Sequence, residues 1–238
     1  MRRILSILAT PLLVTGLFAA APVQASGNPG HSMMTKKASG VRNGQLPDAK
    51  ELVRDSAATV KQMKADPQMK KLLAKAKGVF IVPSYAKGGM VVGARGGQGV
   101  MLAHRDGRWS SPAFYNLAGI SVGAQAGFEA GAVAMVLMSQ KAVDSFESGN
   151  TFSLNADADL TIINWSGRGQ ASLGKGGDVV VWSDSEGAFA GADFSATDIS
   201  WADEENAAFY GRSASAQQIL TSQVTNPLSN KLRKVLPS

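Results

Sequence analysis

A chain of 238 residues, 45% of them hydrophobic, is long enough to bury one full core. It has no cysteine, which excludes disulfides, a lipidated cysteine, a thiolate nucleophile and a cysteine zinc site. The charge is uneven: residues 26–113 hold 15 Lys/Arg and 5 Asp/Glu, whereas residues 114–238 hold 7 and 13. That asymmetry points to one basic and one acidic face, or to two solvated surfaces without a partner.

In chain order, Arg2 and Arg3 precede an apolar run from Ile4 to Ala20, and Val23-Gln24-Ala25 ends it with small residues. This is the pattern of a secretory signal peptide over residues 1–25, so the protein is expected to be exported, periplasmic or secreted. The rival reading is a retained membrane anchor; Pro11 and the small-residue end favour cleavage. Residues 26–46, rich in Gly, Ser and polar side chains, read as a flexible lead-in.

A helix is predicted from Pro47-Asp48, with Ala49, Leu52, Val53, Ser56, Val60 and Met63 forming one stripe. Asp66-Pro67 caps and opens a second helix, "PQMKKLLAKAK". Met69, Leu72, Leu73 and Ala76 make its apolar face, Lys70, Lys71, Lys75 and Lys77 the other, and Gly78 fits a helix stop. Such a helix lies on an anionic membrane, or docks on its own core and leaves the lysines in water. The two are compatible if the core face and the lipid face differ.

From Val79 the pattern changes to short β-branched and aromatic runs: "VFIVPS", "GMVVGA", "GVMLAH" and "RWSSPAFYNLAGI". Asp106-Gly107 is a hairpin signal. Ala130–Ser139 is continuously apolar, as in a strand buried on both faces. "QKAVDSFES" reads as a short helix and Gly149-Asn150 as a turn. Strand-like runs follow in "FSLNADADLTII", "GQASLG", "GDVVVWSD" and "AFAGADFSATDISWAD", where Phe194 breaks the alternation as a bulge would. "DEENAAFYG", "SASAQQILTS" and "NPLSNKLRKVL" close the chain as short helices. The predicted class is α+β: a large curled antiparallel β-sheet or barrel-like core, with N-terminal amphipathic helices and short C-terminal helices. The predicted division is a domain over 47–225 and a helical tail over 226–238.

The stretch "GARGGQG" at 93–99 lacks the G-x-G-x-x-G spacing, and a strand-like run follows it rather than a helix. "GKGG" at 174–177 lacks the Ser or Thr of a phosphate loop. A nucleotide loop is therefore not expected, and these glycines read as bends or bulges in a tight sheet. The catalytic inventory is thin. His31 lies in the lead-in, and His104 has neighbours on alternating faces. Asp157 and Asp159 would share a strand face as an acid/base pair, a weak cation site or solvated residues. Glu129 sits in an apolar setting. No catalytic residue, metal or cofactor is expected, and no nucleic acid, since the aromatics occupy strand-like core positions.

The segments "AKGVFIVPSYAKGGMVVGARGGQGVML", "GRWSSPAFYNLAGISVGAQAGFEAGAVAMVLMSQKAVDSF" and "GAFAGADFSATDISWADEENAAFYG" together resemble the SYLF domain family of lipid-binding proteins. The resemblance covers about residues 47 to 225 and rests on the ordered series rather than one short motif. It implies a phospholipid-binding module, tied in eukaryotic members to phosphoinositides, endocytic membranes and actin regulation. In those members a basic amphipathic helix and nearby basic residues are linked to membrane binding. The matching positions here are Lys70, Lys71, Lys75 and Lys77, with Lys87 of the "KGG" loop and Arg95; Leu72 or Leu73 would insert. Bacterial members are usually exported, often as lipoproteins, and the missing cysteine removes that tether. The expected partner is an anionic phospholipid membrane surface. The alternatives are an envelope protein-interaction module using the sheet or the acidic face, and, last, a hydrolase using Glu129.

Overall fold

The computed structural model describes residues 48–89, 92–122, 127–153, 162–165, 177–184 and 197–238. The signal-peptide and lead-in segments, Asp157, Asp159, "GQASLG" and Phe194 lie outside these residues. Ser39–Ser238 form one compact unit.

Both N-terminal helices form where the apolar stripes place them. Helix α1 spans Ala49–Met63, and the Asp48 carboxylate accepts from the Lys50 amide at 3.0 Å. Helix α2 spans Pro67–Lys75, and Asp66 Oδ1 accepts from the Gln68 and Met69 amides at 2.7 and 3.3 Å. These bonds satisfy amides that have no partner within the helix. Gly78 is not the helix stop. It opens strand β1 (Gly78–Gly89), where a Cβ would lie 2.7 Å from Met101 Cε.

The predicted short runs merge. Strand β1 continues through Pro83, and β2 (Val92–Arg105) runs straight through the glycine-rich stretch. Their pairing slips by one residue between Ile81 and Ala86, a bulge that holds Pro83 where no ladder amide is needed. Gly97 lies beside that bulge: a Cβ there would meet the Ser84 carbonyl oxygen at 2.6 Å. At Gly99 it would meet Phe80 Cε2 at 2.6 Å. These glycines allow close strand approach, as expected for a tight sheet. Glycine in a strand ordinarily weakens it by ~0.5–1 kcal/mol relative to Ala. At Gly97 the sign reverses: Gly97→Ala is expected to destabilise by about 1–3 kcal/mol through overpacking. Urea unfolding checks this, and a stabilised variant contradicts it.

The chain then turns at Asp106 and Gly107, both at positive φ, into β3 (Arg108–Trp109), giving the hairpin that Asp-Gly predicts. Strands β4 (Ala113–Val122) and β5 (Gly127–Leu137) precede helix α3 (Gln140–Glu147). Strands β6 (Phe152–Ser153), β7 (Ile162–Asn164), β8 (Val179–Ser183) and β9 (Thr197–Trp201) follow. The sheet order is β6-β9-β4-β2-β1-β5-β8-β7, with β3 paired to β2, and the sheet curls into a half-barrel. The expected α+β class is the one observed. One pair, β7–β8, is parallel. Residues 165–178 between those strands are long enough for a crossover, whereas a tight turn would have forced an antiparallel return.

Alternation along the strands divides the core in two. Phe80, Met101, Tyr115, Met135 and Val181 face one side, with Phe146 of α3 and Ile219 of helix α5 (Ala216–Leu220) packed on them. The Tyr115 hydroxyl donates to the Phe146 carbonyl at 2.6 Å. Burial, with the Glu147 charge adding to it, raises its pKa far above the ordinary tyrosine value, so it stays a donor. Ile81, Leu102, Phe114, Val136 and Val180 face the other side, under α1, α2, α4 (Asp203–Tyr210) and α6 (Asn230–Val235).

The predicted separate tail of 226–238 is part of this second core. Leu232 and Leu236 are buried in it. Lys64 Nζ donates to the Val235 carbonyl and Trp109 Nε1 to the Pro237 carbonyl, both at 2.6 Å.

Candidate functional site

Helix α2 has two opposed faces. Met69, Leu73 and Ala76 are buried against the sheet. Lys70, Lys71, Lys75 and the following Lys77 are all exposed. At 3.6 residues per turn Lys70, Lys71 and Lys75 spread over about 140° of the outer surface, and Lys77 follows just beyond the helix end. None has an ion-pair partner among the described residues.

Carboxylates are scarce nearby. Between Ser56 and Lys77 the one acidic residue is Asp66. Its Oδ1 caps α2, and its Oδ2 accepts from Trp165 Nε1 at 3.1 Å. The first half of α1 differs: Arg54 is held by Glu51 at 2.9 Å and Asp55 at 3.0 Å. Among the described residues, no carboxylate pairs with the lysines at the C-terminal half of α1 and along α2. Helix α6 adds exposed Lys231 and Lys234, docked beside α1 through the Lys64–Val235 bond.

Asp66 anchors this face. Asp66→Ala removes the cap and the tie to Trp165, and it is expected to cost about 1–2 kcal/mol. Thermal unfolding measures that loss. A variant as stable as the parent contradicts the anchoring role.

Beside the lysines runs a groove of about 630 Å³, lined by Gln68, Lys71, Leu72, Lys75, Met138, Gly177 and Val180. Gln68, Lys71, Leu72 and Lys75 recur at three- and four-residue steps, one stripe of α2 between its buried and outer faces. Met138 at the end of β5 and Val180 in β8 supply the opposite wall. The floor is apolar and the rim carries two ammonium groups.

The predicted residues divide accordingly. Lys71, Lys75 and Leu72 come together at the groove, Lys70 is on the outer face, Lys77 follows the helix end, and Lys87 lies in strand β1 rather than in a loop. Leu73 corrects the expectation: it is 0% exposed and packs in the core, so it has no surface to insert. Only the backbone of Lys87, Arg95 and Glu129 is described. The register aligns Lys87 with Arg95 on β2 and with Glu129 on β5. Strand rise carries Lys87 roughly 30 Å along the sheet from Lys77, so Lys87 and Arg95 do not join the α2 cluster. Gln68, Met138, Gly177 and Val180 were not singled out from the sequence. The three-to-four-residue spacing of Gln68 with Lys71 and Lys75 was the one available signal.

Other ionisable groups have structural partners. His104 Nδ1 lies 3.0 Å from the Ala76 carbonyl, so that nitrogen carries the proton and donates. Its ring stacks on Trp109 at 4.4 Å. Arg105 pairs with Glu147. Among the described residues no group of three or more His, Cys, Asp or Glu could hold a metal, and no helix is long and apolar enough to cross a membrane.

At the other end of α1, a second groove of about 360 Å³ is lined by Asp48, Ala49, Lys50, Glu204, Glu205, Ala208 and Phe209. Acidic residues fill the first turn of α4, where the helix dipole favours them. Glu205 also accepts from Gln98 Nε2 at 2.6 Å.

Comparison with known proteins gives the following. A family model described as "Ysc84: Las17-binding protein actin regulator" matches residues 118–238, beginning within β4. "SH3 domain-containing YSC84-like protein 1" of Bos taurus is 32% identical over 171 residues, covering 70% of this chain and 50% of the relative. "Protein YSC84" of Saccharomyces cerevisiae is 32% identical over 173 residues, covering 70% and 37%. "LAS seventeen-binding protein 3" of the same yeast is 32% identical over 161 residues, covering 66% and 35%. The matched region thus spans half or less of the length of these relatives.

Proposed function

The chain belongs to the Ysc84 (SYLF) family, and from that membership together with the α2 surface we propose that it binds anionic phospholipid membranes peripherally, without catalysis. The observation that carries this reading is the outer face of α2: three exposed lysines with Lys77 just beyond them, no acidic residue in the helix, and an inner face docked on the core. The core face and the lipid face differ, so the helix need not leave the domain to meet a membrane. Each basic residue near an anionic surface contributes about 1 kcal/mol, falling off within a Debye length. Headgroup phosphates, phosphoinositides included, offer the charge these ammonium groups require. On this reading residues 1–25 direct export and the lysines supply the membrane attachment that a lipidated cysteine would otherwise provide.

The test is co-sedimentation of the chain from Ser26 onward, which retains the whole compact unit, with anionic and neutral vesicles at low and high salt. Binding to anionic vesicles that weakens with salt supports the reading. No binding to either kind refutes it.

A second reading is favoured by the acidic groove between α1 and α4, about 20 Å along α1 from the basic end. Relatives carry names of Las17-binding proteins, so a protein partner docking there is the alternative. Capture of a partner that is lost in Glu204→Lys/Glu205→Lys and indifferent to lipid would favour it.

A further inference from the structure

We infer that the groove between α2 and the paired strands β5 and β8 holds one acyl chain of an anionic lipid whose headgroup sits on Lys71 and Lys75; this deepens, and rests on, the membrane reading above. A partner recognised by charge alone would need the lysines but not the floor. Here Leu72, Met138 and Val180 line the same groove as the two lysines, and among the described residues no carboxylate lines it. Its volume of about 630 Å³ falls in the range of small-molecule sites, ~300–1,000 Å³.

The lining suits a flexible chain. Met138 adapts to irregular apolar ligands. Gly177 leaves one side without a side chain. The lysine stems can lie along the methylenes while their heads stay at the rim. An anionic amphiphile satisfies both the floor and the rim at once. Sharing Lys71 and Lys75 with the outer face means that headgroup contact and chain uptake occur at one place.

Chain length separates this from surface contact. Each methylene buried in an apolar site raises affinity about fourfold. The chain from Ser26 onward is titrated calorimetrically with octanoate, decanoate and dodecanoate below their aggregation concentrations, and with glycerol 3-phosphate. One site is expected, with affinity rising roughly 15-fold per two carbons until the groove is full, and no measurable binding of glycerol 3-phosphate. Leu72→Trp, which fills the groove, and Leu72→Gln, which makes its floor polar at similar volume, are each expected to lower dodecanoate affinity at least tenfold. Affinity independent of chain length, or unchanged in both folded variants, overturns the inference. Vesicle binding without dodecanoate binding also overturns the groove alone. Chain-length-dependent dodecanoate binding without vesicle binding keeps the groove and refutes the membrane reading.

Discussion

Reversing Lys70, Lys71 and Lys75 to glutamate is expected to abolish the proposed attachment to anionic vesicles and to leave the domain folded. All three side chains are exposed and lack ion-pair partners among the described residues, so their removal opens no cavity and strands no buried charge. Surface substitutions of this kind usually change stability by less than about 0.5 kcal/mol. Their neutralisation alone removes about 3 kcal/mol of attraction, roughly a hundredfold in affinity, and reversal adds repulsion. The loss is read by co-sedimentation at low salt, with circular dichroism confirming the fold. Glutamates at Lys50, Arg54 and exposed Arg212, an equal change of net charge away from α2, serve as the control; Arg54 is already held by Glu51 and Asp55. Equal losses in both sets would mean that net charge, and not the α2 face, governs attachment.

Leu232→Ala destabilises the domain by about 2–5 kcal/mol, the range for truncating a buried leucine. Leu232 is 0% exposed in the core under α1, while nearby Leu228 is 48% exposed. Leu228→Ala is therefore expected to change stability little. A domain of this kind has only ~5–15 kcal/mol in total, so the Leu232 loss is visible as a large shift of the urea midpoint. If both variants behave alike, residues 226–238 are a tail after all.

What could be read from the sequence was local. The stripe Leu52, Val53, Val60, Met63, the helix start at Asp48, the cap Asp66, and the Asp106-Gly107 turn all depend on neighbours a few residues away. They emerged as predicted. The strand breaks did not, because Gly and Pro were read as punctuation. Pro83 sits instead in a bulge, and Gly97 and Gly99 are required by atoms of β1 that lie far away in sequence. Leu73 was placed correctly on the apolar face of its helix, but nothing local told whether that face meets lipid or the sheet. The groove needed the β5–β8 pairing, which brings Met138 and Val180 opposite Leu72. The role of the C-terminal helix was hidden for the same reason: Trp109 and Lys64, its anchors, belong to the other end of the chain.

The outer face of α2 is the surface proposed to meet the membrane. Ala74 lies at the middle of that face and is exposed; Ala208 is exposed on α4 beside the acidic groove. Because the chain has no cysteine, a single one can be placed at either position and labelled with an environment-sensitive fluorophore. Anionic vesicles are expected to shift the emission of the Ala74→Cys label to the blue and shield it from aqueous quenchers, while the Ala208→Cys label does not change. A shift at position 208 with none at position 74 would contradict the proposal.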